Sequence, residues 1–542
     1  MSAHAQTSSM FRTWLLPFSI LLGLALTIFV ITYVIDAQGR WVALWLFFRP
    51  NPSTASQTIS NAGEVVAAVL GIAITVVAIV VELAANRYTH RITELFVAEP
   101  INFGVMGYFV VTALVNLWVG VTFDYQDGAG FVPYLGFGVA MTMLAVSLLI
   151  LLPYFAFVLE FLSPLQIVDR IRATTMTILG VRISAGKVVD AQREAVRGIE
   201  QLADVGLNAM ENKDKGVSMA SVDALADMVD EYLERRARLP EAWFRVDGDL
   251  SHNPDFVSMA PAVLEDVTRR QIWLEMKVLR QYQTIYNEAL NRMRDINYLI
   301  AIHTRHIAEN AATRHIEPLL DLVLKFFNTY IRATINARDV RTAYNVLNQY
   351  RLLAESILNS SSHARAIEIA QYFKYYGLIS FNAKLPFILE TVAYDLCTLC
   401  ELAFDLRSPS LPSLLQIFLD VDKESESEVQ EVSLRGVRKA QVKLATYFLD
   451  QGDHALAREV FNDMERERPE RLASIRDELL GVKSREFWEI SDRGINFDFL
   501  DAGRKRQMLL FFDWFGDRLE PPNDPERPEG HTPSHSVPSN DV

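Results

Sequence analysis

The first third of the chain is built from long apolar stretches, and the rest alternates apolar and polar positions at helical spacing. Four stretches carry almost no charge: Trp14–Ile35, Ala62–Ala85, Phe103–Phe123 and Val132–Leu159. At about 1.5 Å per residue each reaches across the roughly 30 Å hydrocarbon core of a bilayer, so each predicts a membrane-crossing helix. Pro153 lies near the end of the overlong fourth span and predicts a kink or a continuation beyond the membrane. The first run outlasts the apolar part of a cleavable signal peptide and is read as a retained span. Between the first two spans, Trp41–Phe48 is too short to cross, and its tryptophans fit a segment at headgroup level.

From about Gly186 onward the pattern is helical almost throughout. Ala262–Glu317 contains neither glycine nor proline, and Leu279, Tyr282, Tyr286, Ala289, Met293, Ile296, Ile300 and Ile307 recur there at three-four spacing. This predicts one long helix, either a coiled-coil seam or a core helix of a bundle. Leu444, Ala445, Phe448, Ala457, Phe461 and Pro469 fall at the spacings of a tetratricopeptide repeat, with Gly452 in the turn. One such unit is visible where a solenoid needs about three, so Leu434–Leu480 is read as a helical hairpin docked on other helices. An acidic linker, Asp422–Glu431, precedes it. A last helix over Phe497–Leu519 follows, and the proline-rich stretch 520–542 predicts a disordered tail.

Charge sharpens this division. Residues 1–160 hold five Arg, no Lys and eight acidic side chains, and Lys187 is the first lysine of the 542-residue chain. The net charge of −14 argues against a nucleic-acid partner, which needs a basic face. Arg87 and Arg91 follow the second span, and Arg170, Arg172 and Arg182 follow the fourth, whereas the loop after the third holds only Asp124 and Asp127. The positive-inside rule then places both termini and the basic segment of Arg87 and Arg91 in the cytoplasm, with Arg40 and Arg49 as dissent.

The second span carries the candidate chemistry. Glu64 and Glu82 are five turns apart on one helix face, with Gly71 and Thr75 between them and Val66, Val77 and Val81 opposite. A stripe of small and acidic residues predicts a face turned toward protein or water, as a helix-packing surface or as a path for cations. Asn116 of the third span fits either arrangement. His303 and His306 lie one turn apart, but no carboxylate or cysteine completes a metal pattern around them. Cys397 and Cys400 form a lone C-x-x-C within an apolar run, which predicts buried free thiols. Nucleotide-binding, zinc-protease and serine-hydrolase motifs are missing from the sequence, so neither an enzyme activity nor a cofactor is expected.

The stretch Ile59–Ile167 resembles an uncharacterised family of bacterial four-span membrane proteins, a domain of unknown function. The likeness rests on Val77–Arg91 and continues through Ile92–Pro100. Family members typically carry aromatic-Ser-Pro-Arg after this helix; here Arg91 matches, and His90 replaces the proline in Tyr88–Arg91. A further family segment, Ser-Pro-Gly-x-Asn-Asp-Pro, has no counterpart near Leu207–Ser221. The resemblance implies topology and a bacterial inner membrane, and no activity.

The sequence therefore predicts an all-α protein: a four-span region over 1–160, a large cytoplasmic helical domain over 161–433, the hairpin with its last helix over 434–519, and the tail. The expected function is a non-enzymatic scaffold or sensor in the bilayer, homo-oligomeric, whose helical domain binds a cytoplasmic protein. The alternative is an oligomeric channel or transporter along the Glu64, Thr75 and Glu82 face.

Overall fold

The structure, a computed structural model, describes residues 3–38, 51–89, 91–126, 129–180, 183, 185–360, 362–421, 431–486, 493–494 and 496–519. Trp41–Phe48, most of the acidic linker and the tail lie outside the described residues. The chain divides into two units, one of residues 1–175 with 204–221 and one of residues 176–203 with 222–542. The hairpin expected over 434–480 thus shares its unit with the helices before it.

In the first unit the four apolar runs form α1 (Ala3–Ala37), α2 (Pro52–Arg87), α4 (Pro100–Val121) and α5 (Tyr134–Phe161), with a short α3 (Arg91–Val97) between the second and third. All four long helices are apolar enough to cross a membrane. Helix α2 starts ten residues before the apolar run. Pro52 has no N–H to lose in the first turn, and the polar stretch after it extends the helix. Helix α4 packs against α1, α2 and α5, and Val111, Val115 and Val119 meet Ala25, Ala55, Ile59, Phe137 and Ala140 in a common core. A Cβ on Gly107 would come within 2.7 Å of Leu21, so glycine sets how closely α1 and α4 approach.

The start of α5 has no cap of its own. Asp36, at the end of α1, accepts the N–H groups of Leu135 (3.0 Å) and Gly136 (2.9 Å), which ties the two helices together. A two-stranded hairpin, β1 (Asp124–Gln126) with β2 (Ala129–Phe131), joins α4 to α5 in antiparallel register, Asp124 opposite Phe131. Helix α5 runs on through Pro153 to Phe161. After it come α6 (Pro164–Gly180), α7 (Val188–Glu211) and α8 (Lys215–Arg235).

The second unit continues with α9 (Gly248–Ser251), α10 (Pro254–Val257) and α11 (Pro261–Arg270). It then stacks antiparallel helices: α12 (Trp273–Arg292), α13 (Arg294–Thr313), α14 (Glu317–Asn336), α15 (Val340–Asn359), α16 (His363–Asn382), α17 (Pro386–Asp405), α18 (Leu411–Leu419) and α19 (Glu431–Asp450). Helix α13 touches α15, α15 touches α17 and α17 touches α19, while α12, α14, α16 and α18 form a second layer in the same order. The unit closes with α20 (His454–Met464), α21 (Pro469–Gly481) and α22 (Ala502–Asp513).

Two expectations are corrected here. Ala262–Glu317 is not one long helix: it breaks after Arg270, at Met293 and after Thr313, giving α11, α12 and α13 before α14 opens at Glu317. Its apolar stripe closes the core of a helix pair and makes no coiled-coil seam. Asn297, fully buried, clasps the second break by donating to the carbonyl of Tyr286 at 2.7 Å. The expected last helix over 497–519 is confined to α22, where Asp501 caps the start by accepting from Arg504 N at 2.9 Å.

Short turns make the stack possible, and five of them share one geometry. At His315, Arg338, Lys384, Arg407 and Gly452 the backbone takes positive φ. The next residue then reaches back to a carbonyl five positions earlier: Ile316 to Ala311, Asp339 to Thr334, Leu385 to Ser380, Ser408 to Ala403 and Asp453 to Phe448. Asp339 and Asp453 also cap the next helix, accepting from Thr342 N and Leu456 N. Only Gly452 meets the left-handed conformation without a Cβ penalty. Gly452→Ala is therefore expected to cost about 1 kcal/mol and lower the thermal midpoint, with Arg338→Gly not destabilising; circular-dichroism melts of both variants check this.

Candidate functional site

Two places bring chemistry together, one in each unit. In the membrane unit the buried stripe of α2 is Ala55, Ile59, Ala62, Val66, Ala73, Val77, Val81 and Ala85. Glu64, Gly71, Thr75 and Glu82 are exposed on the other side of the helix. The acid stripe is therefore not the face packed against this chain's own helices; the valines Val66, Val77 and Val81, expected to face lipid, are. The reason is physical. Alternating alanine and branched residues fit the valine ridge of α4, whereas carboxylates against that ridge would be desolvated without a partner.

Along the exposed stripe, Thr75 Oγ1 donates to Gly71 O at 2.8 Å, and open space surrounds the Cα of Gly71. No ion pair joins Glu82 to Arg87, whose guanidinium lies 5.2 Å from the centre of the Tyr88 ring. Arg91 opens α3. Glu64 and Asn116 are brought together, in a groove of about 600 Å³ between α2 and α4 that also includes Ser56 and Ser60. Asn116 is 1 % exposed; its Nδ2 donates to Thr112 O at 2.8 Å, and its Oδ1 has no hydrogen-bond partner.

In the helical unit, a non-helical segment lies across three successive helices of one layer. Arg493 donates to both carboxylate oxygens of Asp395 on α17 and to Tyr344 O on α15 at 2.8 Å. Its guanidinium stacks 4.2 Å from the Tyr344 ring centre. Four residues on, Phe497 stacks on Tyr394 of α17 with ring centres 4.7 Å apart and planes 11° from parallel. Asp498 accepts from Tyr394 Oη at 2.5 Å and from Lys439 Nζ of α19 at 2.9 Å. Lys443 holds the backbone by donating to Phe497 O at 2.9 Å. Asp395 reads the cation, Tyr394 the aromatic ring, and Tyr394 and Lys439 together the carboxylate.

Residues 11–231 match the family model described as a predicted membrane protein, DUF2254. The resemblance read from α2 and its flanks is thus found again, over a longer stretch. No curated protein matches the chain, and no solved structure does. The protein is a membrane protein with four apolar helices and a helical region behind them.

Other chemically notable side chains are structural in their surroundings. His303 Nε2 pairs with Asp223 Oδ1 at 2.7 Å, and His306 faces Arg305 at 2.9 Å, so the two rings address different partners. Cys397 and Cys400 are buried, and burial pushes both thiols up, away from the reactive thiolate. Lys277 is 1 % exposed yet fully engaged, with Glu200 at 2.6 Å, Asn253 at 2.9 Å and Asp255 beside it. Sequence reasoning missed this lysine, because its partners come from α7 and from the start of α10, both far away in the sequence.

Glu275 was missed too. It is fully buried, neither carboxylate oxygen has a hydrogen bond, and Arg236 Nε stands 3.4 Å away. Burial pushes its carboxyl up to about 7 against the attraction of Arg236. A raised folded-state value means that the unfolded chain releases the proton first as pH rises from 4.5 toward 7. Stability therefore falls across that window and stays reduced above it. Glu275→Gln is expected to remove the fall, leaving the variant about 3 kcal/mol better off at pH 8 than at pH 4 when each is compared with wild type. Denaturant unfolding at the two pH values measures this.

A second prediction concerns the seated segment. Arg493 and Asp395 side chains are 5 % and 2 % exposed, and Arg351 Nε, 3.4 Å from Asp395, remains when Arg493 is removed. Arg493→Ala should thus release the segment without unfolding the stack. Hydrogen exchange should rise at residues 493–498 and stay unchanged in α12–α15.

Proposed function

We propose that this protein is a membrane-anchored scaffold whose stacked helices bind a non-helical segment of a partner protein. The observation that carries the reading is the Arg493–Asp498 segment, which occupies the layer of α15, α17 and α19 through side chains. A turned, non-helical segment held by a guanidinium clasp, a ring stack and a lysine-bound carboxylate is the kind of ligand such a surface selects. A partner would present arginine, then an aromatic and an acidic residue four and five positions later. With the basic segment of Arg87 and Arg91 cytoplasmic, the stack meets its partner in the cytoplasm of a bacterial cell, at the inner membrane.

The test uses the full chain in lipid nanodiscs and a labelled peptide of residues 485–501. Arg493→Ala with Phe497→Ala should bind the peptide at least tenfold more tightly than wild type, whose own segment competes. Adding Lys439→Ala to that pair should weaken binding at least tenfold. Failure of the double variant to take up peptide, while its far-ultraviolet spectrum is intact, would sink the scaffold reading.

A rival reading is favoured by one observation: the Glu64–Thr75–Glu82 face is left uncovered by this chain's own helices. Copies arranged around that face would line a cation path. Ion flux in liposomes that falls with Glu64→Gln and Glu82→Gln would establish it, and an absence of flux would remove it.

A further inference from the structure

We propose that the groove between α2 and α4 is a binding site for the primary ammonium headgroup of a membrane lipid, of the phosphatidylethanolamine type. The groove's polar side chains are acceptors and hydroxyls: the Glu64 carboxylate, the Asn116 carboxamide, Ser56 and Ser60. Among the described residues no lysine or arginine lines it. Ile59, Leu114 and Leu117 supply apolar wall, and Gly63, Ala67 and Gly120 keep the groove open.

The depth of the site decides which cation can reach it. Gly120 stands opposite Ile59, with a Cβ position 3.6 Å from Ile59 Cγ2. Glu64, five residues along α2, and Asn116, four residues back along antiparallel α4, therefore lie about 6–7.5 Å inward from that level. Both are in the outer part of the apolar layer, where a carboxylate is found facing a partner or a cavity. Among the described residues Glu64 makes no ion pair, and Asn116 Oδ1 is buried without a donor.

The counter-ion does not come from a second copy's spans. Apart from Arg87, at the far end of α2, the spans Ser19–Ala37, Pro52–Arg87, Pro100–Val121 and Tyr134–Phe161 contain no lysine or arginine. A lipid ammonium lies in the headgroup layer just outside this level, and on entering the groove it brings N–H donors for both Glu64 and Asn116 Oδ1. A quaternary ammonium has the charge and no N–H, so it answers only Glu64. An anionic headgroup is repelled. The acyl chains lie along Leu114, Leu117 and the alanines. This site is independent of the helical stack, and either proposal stands if the other fails.

Native mass spectrometry of the full-length protein, released from nanodiscs of equal phosphatidylethanolamine, phosphatidylcholine and phosphatidylglycerol, tests the proposal. The expected result is phosphatidylethanolamine retained at least fivefold over each of the others. Glu64→Gln should lower that preference to less than twofold, and because Glu64 is exposed its loss leaves folding intact. Asn116→Leu should remove the discrimination between ethanolamine and choline headgroups while retaining discrimination against the anionic lipid. Equal retention of the three lipids overturns the proposal, as does a preference that survives Glu64→Gln. A dimer that carries no lipid, or protection of this face by sodium or free ethanolamine with no lipid preference, overturns it too.

Discussion

Everything in this chain depends on how helix ends dispose of their unpaired backbone groups. A helix leaves up to four N–H and four C=O groups without partners at its two ends, and in an all-α protein there is little sheet to absorb them. The helical unit solves this with one turn used repeatedly. A left-handed residue returns the chain to the carbonyls it has just left, and the following residue starts the next helix. Such a turn is too short to let consecutive helices separate. They pack antiparallel, and alternate helices form layers. The surface that holds Arg493, Phe497 and Asp498 follows from that spacing, because Tyr344, Tyr394 and Lys439 come from successive members of one layer.

The membrane unit meets the same constraint with a different donor of charge. Pro133 leaves α5 without a capping side chain, and Asp36 reaches over from α1 to take its place. A carboxylate at a helix N-terminus satisfies two N–H groups and opposes the positive end of the helix dipole. It is also an interhelix tie where water is scarce, and lipid offers little else to hold α1 against α5. Tyr154 does similar work at the other end, donating to Asn102 Oδ1 at 3.1 Å, while Asn102 itself donates to Phe96 O.

How much of this was legible in the sequence follows from what each signal reports. Apolar length reports membrane helices directly, and all four were found. Which face a membrane helix buries is a weaker signal, because both faces are apolar and small residues mark any close approach. The Gly71 and Thr75 stripe read as a packing surface or a cation path, and within this chain the buried face of the helix is that of Ala62, Val66, Ala73 and Val77. In the stack, Gly452 advertised its turn. His315, Arg338, Lys384 and Arg407 adopt the same conformation with an ordinary Cβ, so the earlier turns carried no sequence mark. The break at Met293 was hidden for a related reason: no glycine or proline stands there, and Asn297 clasps it only through tertiary contact. Asn116 was grouped with the Glu64 face from sequence, whereas the joining of Arg493 with Asp395 depends on helix register and was out of reach.

The buried charges argue that the stack and the groove differ in kind. On the stack, charge is answered within the chain: Asp395 has Arg493 and Arg351, Lys439 has Glu478 and Asp498, and Lys277 has Glu200 and Asp255. Removing one member of such a cluster leaves another counter-ion beside the remaining charge, so a segment can leave and a similar one can enter without stranding a buried ion. That is a condition for exchange. In the groove the described residues supply acceptors and hydroxyls and no cation. Glu64 and Asn116 Oδ1 lie at one level of the bundle with no cation from the spans, and the cheapest way to complete such a half-site in a bilayer is with a headgroup from the lipid itself. The stack is therefore a site already filled by its own chain, and the groove is one that its surroundings must fill.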